Sequence, residues 1–312
     1  MHEELSFDIR GYDITSWIRS RAIPSSTAGR HTVTTWKDWI GTSRSAAALL
    51  DVGQANRMAV TLDREPGFKP GDALPPGWHW LYFHDIVRAS RLGGDGHPAL
   101  GVTMPAVPLP RRMWAGGELV FHTPLPLGAI ANTTATIRSI EEKHGRTGPL
   151  YFVTVDHEVT VEGTLALSES QTIVYRELPT EAAAPGGPAA PGNAEFSDTW
   201  ELDSTALFRY SALTFNGHRI HYDADYARTV EGYPNLVIHG PLLATLLLDL
   251  AARQDRPLGS FRYWARSPLF LPDAFTVNGR RAGKNTALWA ASADGRLAME
   301  AEAFDRKDGS DD

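Results

Sequence analysis

Apolar and polar residues alternate along residues 119–125 (LVFHTPL), 135–143 (ATIRSIEEK), 149–163 (PLYFVTVDHEVTVEG) and 165–178 (LALSESQTIVYREL). These stretches are rich in β-branched and aromatic residues and broken by Gly-rich turns such as HGRTG at 144–148. Period-two alternation with such punctuation predicts a meander of long antiparallel strands. Ahead of them, residues 45–61 (SAAALLDVGQANRMAVT) carry Ala and Leu with apolar recurrences at three and four residues, and the spacing predicts a helix. Residues 66–114 are dense in Pro, Gly and Trp and predict a long irregular excursion.

The pattern then restarts. Residues 196–214 (FSDTWELDSTALFRYSALT) predict a short strand and a helix, with Asp203 and Ser204 both suitable N-caps. Residues 240–254 (GPLLATLLLDLAARQ) are apolar on nearly every side, which implies a buried helix. Residues 260–270, 275–283, 284–294 and 296–305 read as strands, with hairpin dipeptides at Asn278–Gly279 and Asp294–Gly295. Between the two runs lies EAAAPGGPAAPGNAE, with almost nothing to bury, which reads as an exposed connector. The expected organisation is a domain over 1–180, a linker over 181–195 and a second domain over 196–312. Helix followed by a strand meander in each part favours an α+β class, with a helix wrapped by a curled antiparallel sheet.

Composition narrows the function. The 312 residues are 42% hydrophobic and 21% charged, ordinary values for a globular chain with a sizeable core. A net charge of -7 argues against a general nucleic-acid binder, which needs a basic surface. The absence of cysteine removes disulfides, thiolate nucleophiles and cysteine-ligated metals, and fits a reducing, cytoplasmic setting. No apolar run approaches the roughly 20 residues that span a bilayer, and the polar, acidic start is unlike a leader peptide, so no membrane association is expected.

The densest reactive cluster is YSALTFNGHRIHYD (210–223), followed by Tyr226-Ala227 and by His239-Gly240-Pro241. His218, His221 and Asp223 crowd together just before the most apolar helix, with His239 at its start. Pro241 suits a first helical position, and the free N–H groups there, beside a glycine that admits close approach, can hold an oxyanion. Histidines among Asn, Arg and Tyr also often do no more than satisfy one another in a polar loop. His218, His221, Asp223 and His239 can alternatively be drawn as ligands of a metal, although they do not lie on one regular element.

The order and spacing of these residues resemble the MaoC-like hydratase/dehydratase families. Their signature is an Asp, a His five residues later, an acidic residue and Tyr-Ala soon after, and a His-Gly pair opening the central helix. Asn216 stands at the Asp position, His221 at the His position, then Asp223, Tyr226-Ala227 and His239-Gly240. The segments PLPRRMWAGGELVFHTPLPLG and GPLYFVTVDHEV look like the N-terminal domain of the longer members, which include itaconyl-CoA and mesaconyl-CoA hydratases and mitochondrial type 2 hydroxyacyl-thioester dehydratases. The resemblance spans roughly residues 82–250.

It implies a double hot-dog fold, two long helices each wrapped by a curled sheet, and a hydro-lyase acting on a 2,3-enoyl or 3-hydroxyacyl thioester of CoA or of acyl-carrier protein. It also implies a short dicarboxylic acyl group, such as itaconyl or mesaconyl. Gly240 would hold the thioester oxyanion, and Asn216 and His221 the water. An amide cannot take up a proton near neutral pH, so the base role falls to His221. Arg111, Arg112, Arg219 and His239 are the candidates for substrate binding, the arginines because a guanidinium fork matches a carboxylate.

No cofactor and no metal is expected, and a monomer or homodimer is. A non-catalytic thioester-binding module and a thioesterase stay open as alternatives, since fold does not dictate chemistry. Gly93-Gly-Asp-Gly96 lacks the context of a phosphate loop and reads as a turn. Trp78–Phe83 reads as core packing or pocket wall, and His84-Asp85 as a possible cross-domain contribution to the site.

Overall fold

The computed structural model describes residues 35–145, 148–178, 186–254 and 256–306. Helices are few and short: α1 (Val52–Thr61), α2 (Ser204–Leu213), α3 (Ala224–Thr229) and α4 (Gly240–Ala252). The strands are β1 (Ser43–Leu49), β2 (Arg111–Phe121), β3 (Ile130–Gly145), β4 (Gly148–Val161), β5 (Thr164–Arg176), β6 (Phe196–Trp200), β7 (Leu258–Ala265), β8 (Phe275–Ala282), β9 (Asn285–Ser292) and β10 (Leu297–Asp305). All of them join one 10-stranded sheet in the order β1-β3-β4-β5-β2-β7-β10-β9-β8-β6. Every ladder in it is antiparallel.

The earlier and later strands meet where β2 pairs with β7, from Gly116 opposite Trp264 to Val120 opposite Ser260. Gly116 and Gly117 make this junction possible. A Cβ on Gly116 would lie 2.6 Å from the Tyr263 carbonyl oxygen, and one on Gly117 2.4 Å from both the Ser170 carbonyl and the Tyr263 hydroxyl. Only a residue without a side chain lets backbones approach so closely.

α4 packs against β7, β8, β9 and β10 as its apolar sequence requires: Leu242, Leu243, Leu246, Leu247, Leu248 and Leu250 are all buried. Each such side chain contributes about 2 kcal/mol of burial free energy. Arg64, just beyond α1, forms a bidentate pair with Asp249 on α4, and Gln54 of α1 donates to the Leu213 carbonyl at the end of α2 at 2.8 Å.

The strand meanders follow the alternating stretches, except that β2 ends at Phe121 and β7 at Ala265, short of the expected 125 and 270, and Asp203 caps α2 by accepting from the Ala206 N–H. The run at 45–61 divides. Residues up to Leu49 form β1, paired from Ser43 opposite Thr136 to Leu49 opposite Ile130, and the helix begins only after Asp51 caps it. Cross-strand pairing with β3 overrides the helical preference of the alanines there. β2 also begins inside the expected irregular region, at Arg111.

Asn278–Gly279 is not a turn: both residues lie within β8, opposite Ser197 and Phe196 of β6. Gly279 makes room for the Phe196 ring, which a Cβ would meet at 2.1 Å. The β8–β9 reversal is at Gly283, with φ of 66°, whereas Asp294–Gly295 does turn the chain into β10. The described part of the connector, from residue 186, is exposed but fastened to the hairpin beside it: Ala190 N–H donates to Gly295 and Leu297 N–H to Pro188. Among the described residues no helix is long and apolar enough to cross a membrane.

Candidate active site

The loop after α2 carries the reactive cluster. Phe215 takes a left-handed φ of 51°, and the Asn216 N–H then bonds back to the Ser211 carbonyl at 2.8 Å. The Asn216 Oδ1 accepts the His218 N–H at 3.0 Å, which assigns that atom as oxygen and leaves Nδ2 as the amide's donor. Asp223 caps α3 by accepting from the Tyr226 N–H at 2.9 Å and also holds Arg219 at 2.7 and 3.1 Å.

His221 is buried, and its Nδ1 lies 2.7 Å from the Val237 carbonyl oxygen. A carbonyl only accepts, so Nδ1 carries the proton and Nε2 is left as a lone pair. Burial, reinforced by repulsion from His218, drops the His221 pKa to about 3. The His239 ring stacks on His221 with centroids 3.6 Å apart, and its Nε2 is 2.8 Å from the Ser211 hydroxyl. Burial, then the neighbouring histidines, hold His239 well below the usual imidazole value, so both stacked rings are neutral. His239 is the N-cap of α4, but its side chain does not cap the helix. Gly240 follows with its N–H taken up by no acceptor among the described residues. A Cβ there would lie 2.9 Å from the Trp114 ring.

Several parts of this centre lie far from the cluster in sequence. The 93–97 turn packs on the reactive loop: the Arg219 N–H donates to Asp95 and the Arg219 guanidinium to Gly94. His97 lies against His218 with centroids 4.6 Å apart. His218 Nε2 bonds Glu231 at 3.2 Å, and the other Glu231 oxygen pairs with Arg111 at 3.0 Å, all of them buried. His97, Ser211 and Glu231 were not singled out by the sequence reading. Ser211 lies inside the 210–223 stretch and Glu231 between Ala227 and His239, whereas only its position in the fold marks His97.

The candidate substrate arginines separate. Arg111 is fixed on Glu231 and stacked over Tyr233, and Arg219 on Asp223 and over Tyr226. Arg112, paired with Asp95 at 3.2 Å, lines a cavity of about 770 Å³ together with Asn216, Ser211 and His97. His84 and Asp85 line the same cavity, and the His84 ring stacks on Phe215. Burial, partly offset by backbone hydrogen bonds, lowers the His84 pKa. Trp80 belongs to the cavity wall, whereas Trp78 and Leu81 are core.

Glu169 lines the same cavity and accepts from His79 Nε2 (2.9 Å), Trp80 Nε1 (2.9 Å) and Gln171 Nε2 (2.7 Å). Burial works to raise the Glu169 carboxyl, but His79, then His157 and Gln171, hold it below its usual value.

For a metal, the set His218, His221, Asp223 and His239 does not converge, because Asp223 is taken by Arg219 and the α3 cap. Asp95, His97 and His218 do bring their ligand atoms within 4.8 Å of one another. The Arg112 guanidinium on Asp95 opposes a divalent cation at that place.

Residues 77–271 match the family model of type 2 hydroxyacyl-thioester dehydratases. The chain is 42% identical to a mesaconyl-C(4)-CoA hydratase of Chloroflexus aurantiacus over 85% of this chain and 96% of that one. Among solved structures, a MaoC-like dehydratase of Phytophthora capsici superposes with a TM-score of 0.65 at 13% identity, covering 88% of this chain and 99% of that one. A Mycobacterium tuberculosis protein with a double hot-dog fold superposes at 0.53 and 14% identity, covering 87% and 98%. The architecture is therefore the α+β double hot-dog. The expected pair of long wrapped helices is only half met: α4 packs on the strands β7 to β10, whereas α1 has 10 residues and packs on α2 and the 78–81 turn.

Proposed function

The chain belongs to the type 2 hydroxyacyl-thioester dehydratase family and is a hydro-lyase of acyl-CoA thioesters; from that premise we propose that it hydrates a short dicarboxylic enoyl-CoA of the mesaconyl kind, using Asn216, His221 and Gly240. The observation that carries the assignment of the base is the Val237 carbonyl on His221 Nδ1, which leaves Nε2 unprotonated.

In the hydration direction the thioester carbonyl oxygen sits at the Gly240 N–H, where the start of α4 favours negative charge. The Asn216 Nδ2 donates to the water oxygen, and that water donates to His221 Nε2. As oxygen adds to the β-carbon, His221 takes its proton and the electron pair of the double bond moves toward the carbonyl, giving an enolate. The imidazolium then returns the proton to the α-carbon. With its pKa depressed by burial, His221 retains a proton only while the enolate charge is nearby, so the return is strongly downhill. Dehydration runs the same steps in reverse.

Mesaconyl-CoA comes first as substrate, on the identity to the Chloroflexus hydratase, and itaconyl-CoA second. Of the arginines considered, Arg112 is the one that lines the cavity and suits the distal carboxylate.

The test follows the ultraviolet absorbance of the conjugated thioester with mesaconyl-, itaconyl- and crotonyl-CoA. Absorbance should fall fastest with mesaconyl-CoA, and His221→Ala should lose about 10²- to 10⁴-fold in turnover while still folding. Near-normal turnover in that variant defeats the assignment of His221. Tight binding of every ester without consumption would make the protein a binding module.

A further inference from the structure

We infer that the buried His79–Glu169 pair is the end wall of the acyl chamber, and that this wall restricts the enzyme to short acyl chains. The inference rests on the reading that the cavity at Asn216 receives the acyl group.

The wall is visible from both sides. Beyond the 770 Å³ cavity lies a second one of about 290 Å³, bounded mainly by apolar side chains, among them Leu74, Phe121, Leu125, Leu167 and Leu258. His79 lines both cavities. The elements carrying the pair change sides there. Along one face of β5, Leu167 lines the small cavity, while Gln171 and Ile173 line the large one, with Glu169 at the boundary. In the turn that carries His79, Gly77 lines the small cavity and Trp80 the large one.

The wall is also rigid. The side chains of His79 and Glu169 are only 5% and 2% exposed. Glu169 is gripped by Trp80 and Gln171 as well as by His79. The turn beneath is pressed onto α4: Gly77 has φ of 82°, and a Cβ there would lie 2.7 Å from a methyl of Leu248. A long aliphatic tail entering the small cavity would have to push His79 aside and leave a buried carboxylate short of a donor. That costs more than burying a few further methylenes returns. A short acyl group ends before the wall and meets no such penalty.

The test compares the wild type with His79→Ala/Glu169→Gln, which opens the wall without stranding a buried charge, and with His79→Leu/Glu169→Gln, which removes the ion pair but refills the volume. Calorimetry measures binding of butyryl-CoA and octanoyl-CoA, and absorbance measures turnover of crotonyl-CoA and 2-octenoyl-CoA. The wild type should favour the four-carbon esters by at least about tenfold. The Ala double variant should erase or reverse that ratio, and the Leu double variant should keep it.

Equal binding of octanoyl- and butyryl-CoA by the wild type overturns the inference even if neither variant folds. So does an unchanged ratio in a folded Ala double variant. Because the saturated esters need no chemistry, a wild type that hydrates nothing counts against the proposed reaction while the binding ratios still decide the role of the wall.

Discussion

At the scale of single residues, the proposed centre depends on keeping His221 neutral. Burial and a stacked neutral His239 disfavour the imidazolium in the resting enzyme, and the carbonyl on one nitrogen fixes where the neutral ring carries its proton. A histidine with an ordinary pKa near 6.5 would make kcat/KM fall tenfold per pH unit below that value, as the base became protonated in the free enzyme. With the pKa displaced to about 3, the base form is present throughout the range above it. The expected profile of kcat/KM for an enoyl-CoA substrate is therefore flat to within about twofold from pH 5 to pH 8, once ionisation of the substrate is corrected for. An acidic limb with its midpoint near 6.5 would show that a residue other than this buried His221 limits the reaction, or that substrate-free His221 is hydrated.

At the scale of elements, the reactive loop is held by the 93–97 turn of the first half, and glycine sets how close they come. A Cβ on Gly96 would fall 1.9 Å from the Gly217 carbonyl oxygen, at a φ of +89° that disfavours any side chain. Gly217 is flanked by Asn216 and precedes His218, so relieving that clash must move both. A Cβ on Gly94, two residues earlier, would meet nothing within 4 Å. Gly96→Ala should accordingly lower kcat/KM on the order of a hundredfold, the scale expected for misplacing groups by about an ångström, while Gly94→Ala stays near the wild type. Thermal melting of both variants separates a displaced loop from a general loss of fold; similar activities in the two folded variants would dissociate the turn from the site.

This packing also explains what the sequence could disclose. Asn216, His221, Asp223 and His239-Gly240 lie within one short stretch, and their spacing is set by local turns and a helix start, so a linear reading finds them. His97 and the His79–Glu169 pair come from the first half and reach the cavity beside the loop only through the fold, which local pattern does not encode, whereas Glu231 lies within the stretch itself and carries no spacing signal of its own. β1 was obscured for a related reason: alanines favour a helix by themselves, and only the partner strand β3 makes them extended. At Asn278–Gly279 the dipeptide's turn propensity yields to the demand of Phe196 for space.

At the scale of the whole molecule, the same buried histidines tie stability to pH. His97, His157, His221 and His239 all have pKa values lowered in the folded protein, in each case chiefly by burial. Above pH 7 these rings are neutral both folded and unfolded, and they contribute no pH dependence. As pH falls through 6.5 the unfolded chain binds protons that the folded protein cannot, so the unfolded state gains, and stability must decline with falling pH. Each ring that stays neutral contributes a loss of about 1 kcal/mol per pH unit, until its own folded pKa is reached.

The carboxyls held low in the fold, Glu169, Asp223 and Asp294, act in the same direction, but only below about pH 4, where their unfolded counterparts protonate. The window between pH 7 and pH 5 thus belongs to the histidines. Calorimetric melting across it should show Tm dropping on the order of 10 °C, while the flat kcat/KM profile persists at temperatures where the protein remains folded. A Tm independent of pH over that window would mean that protons reach these rings in the native state, and the neutral stack of His221 on His239 would have to be abandoned together with the base assigned to it.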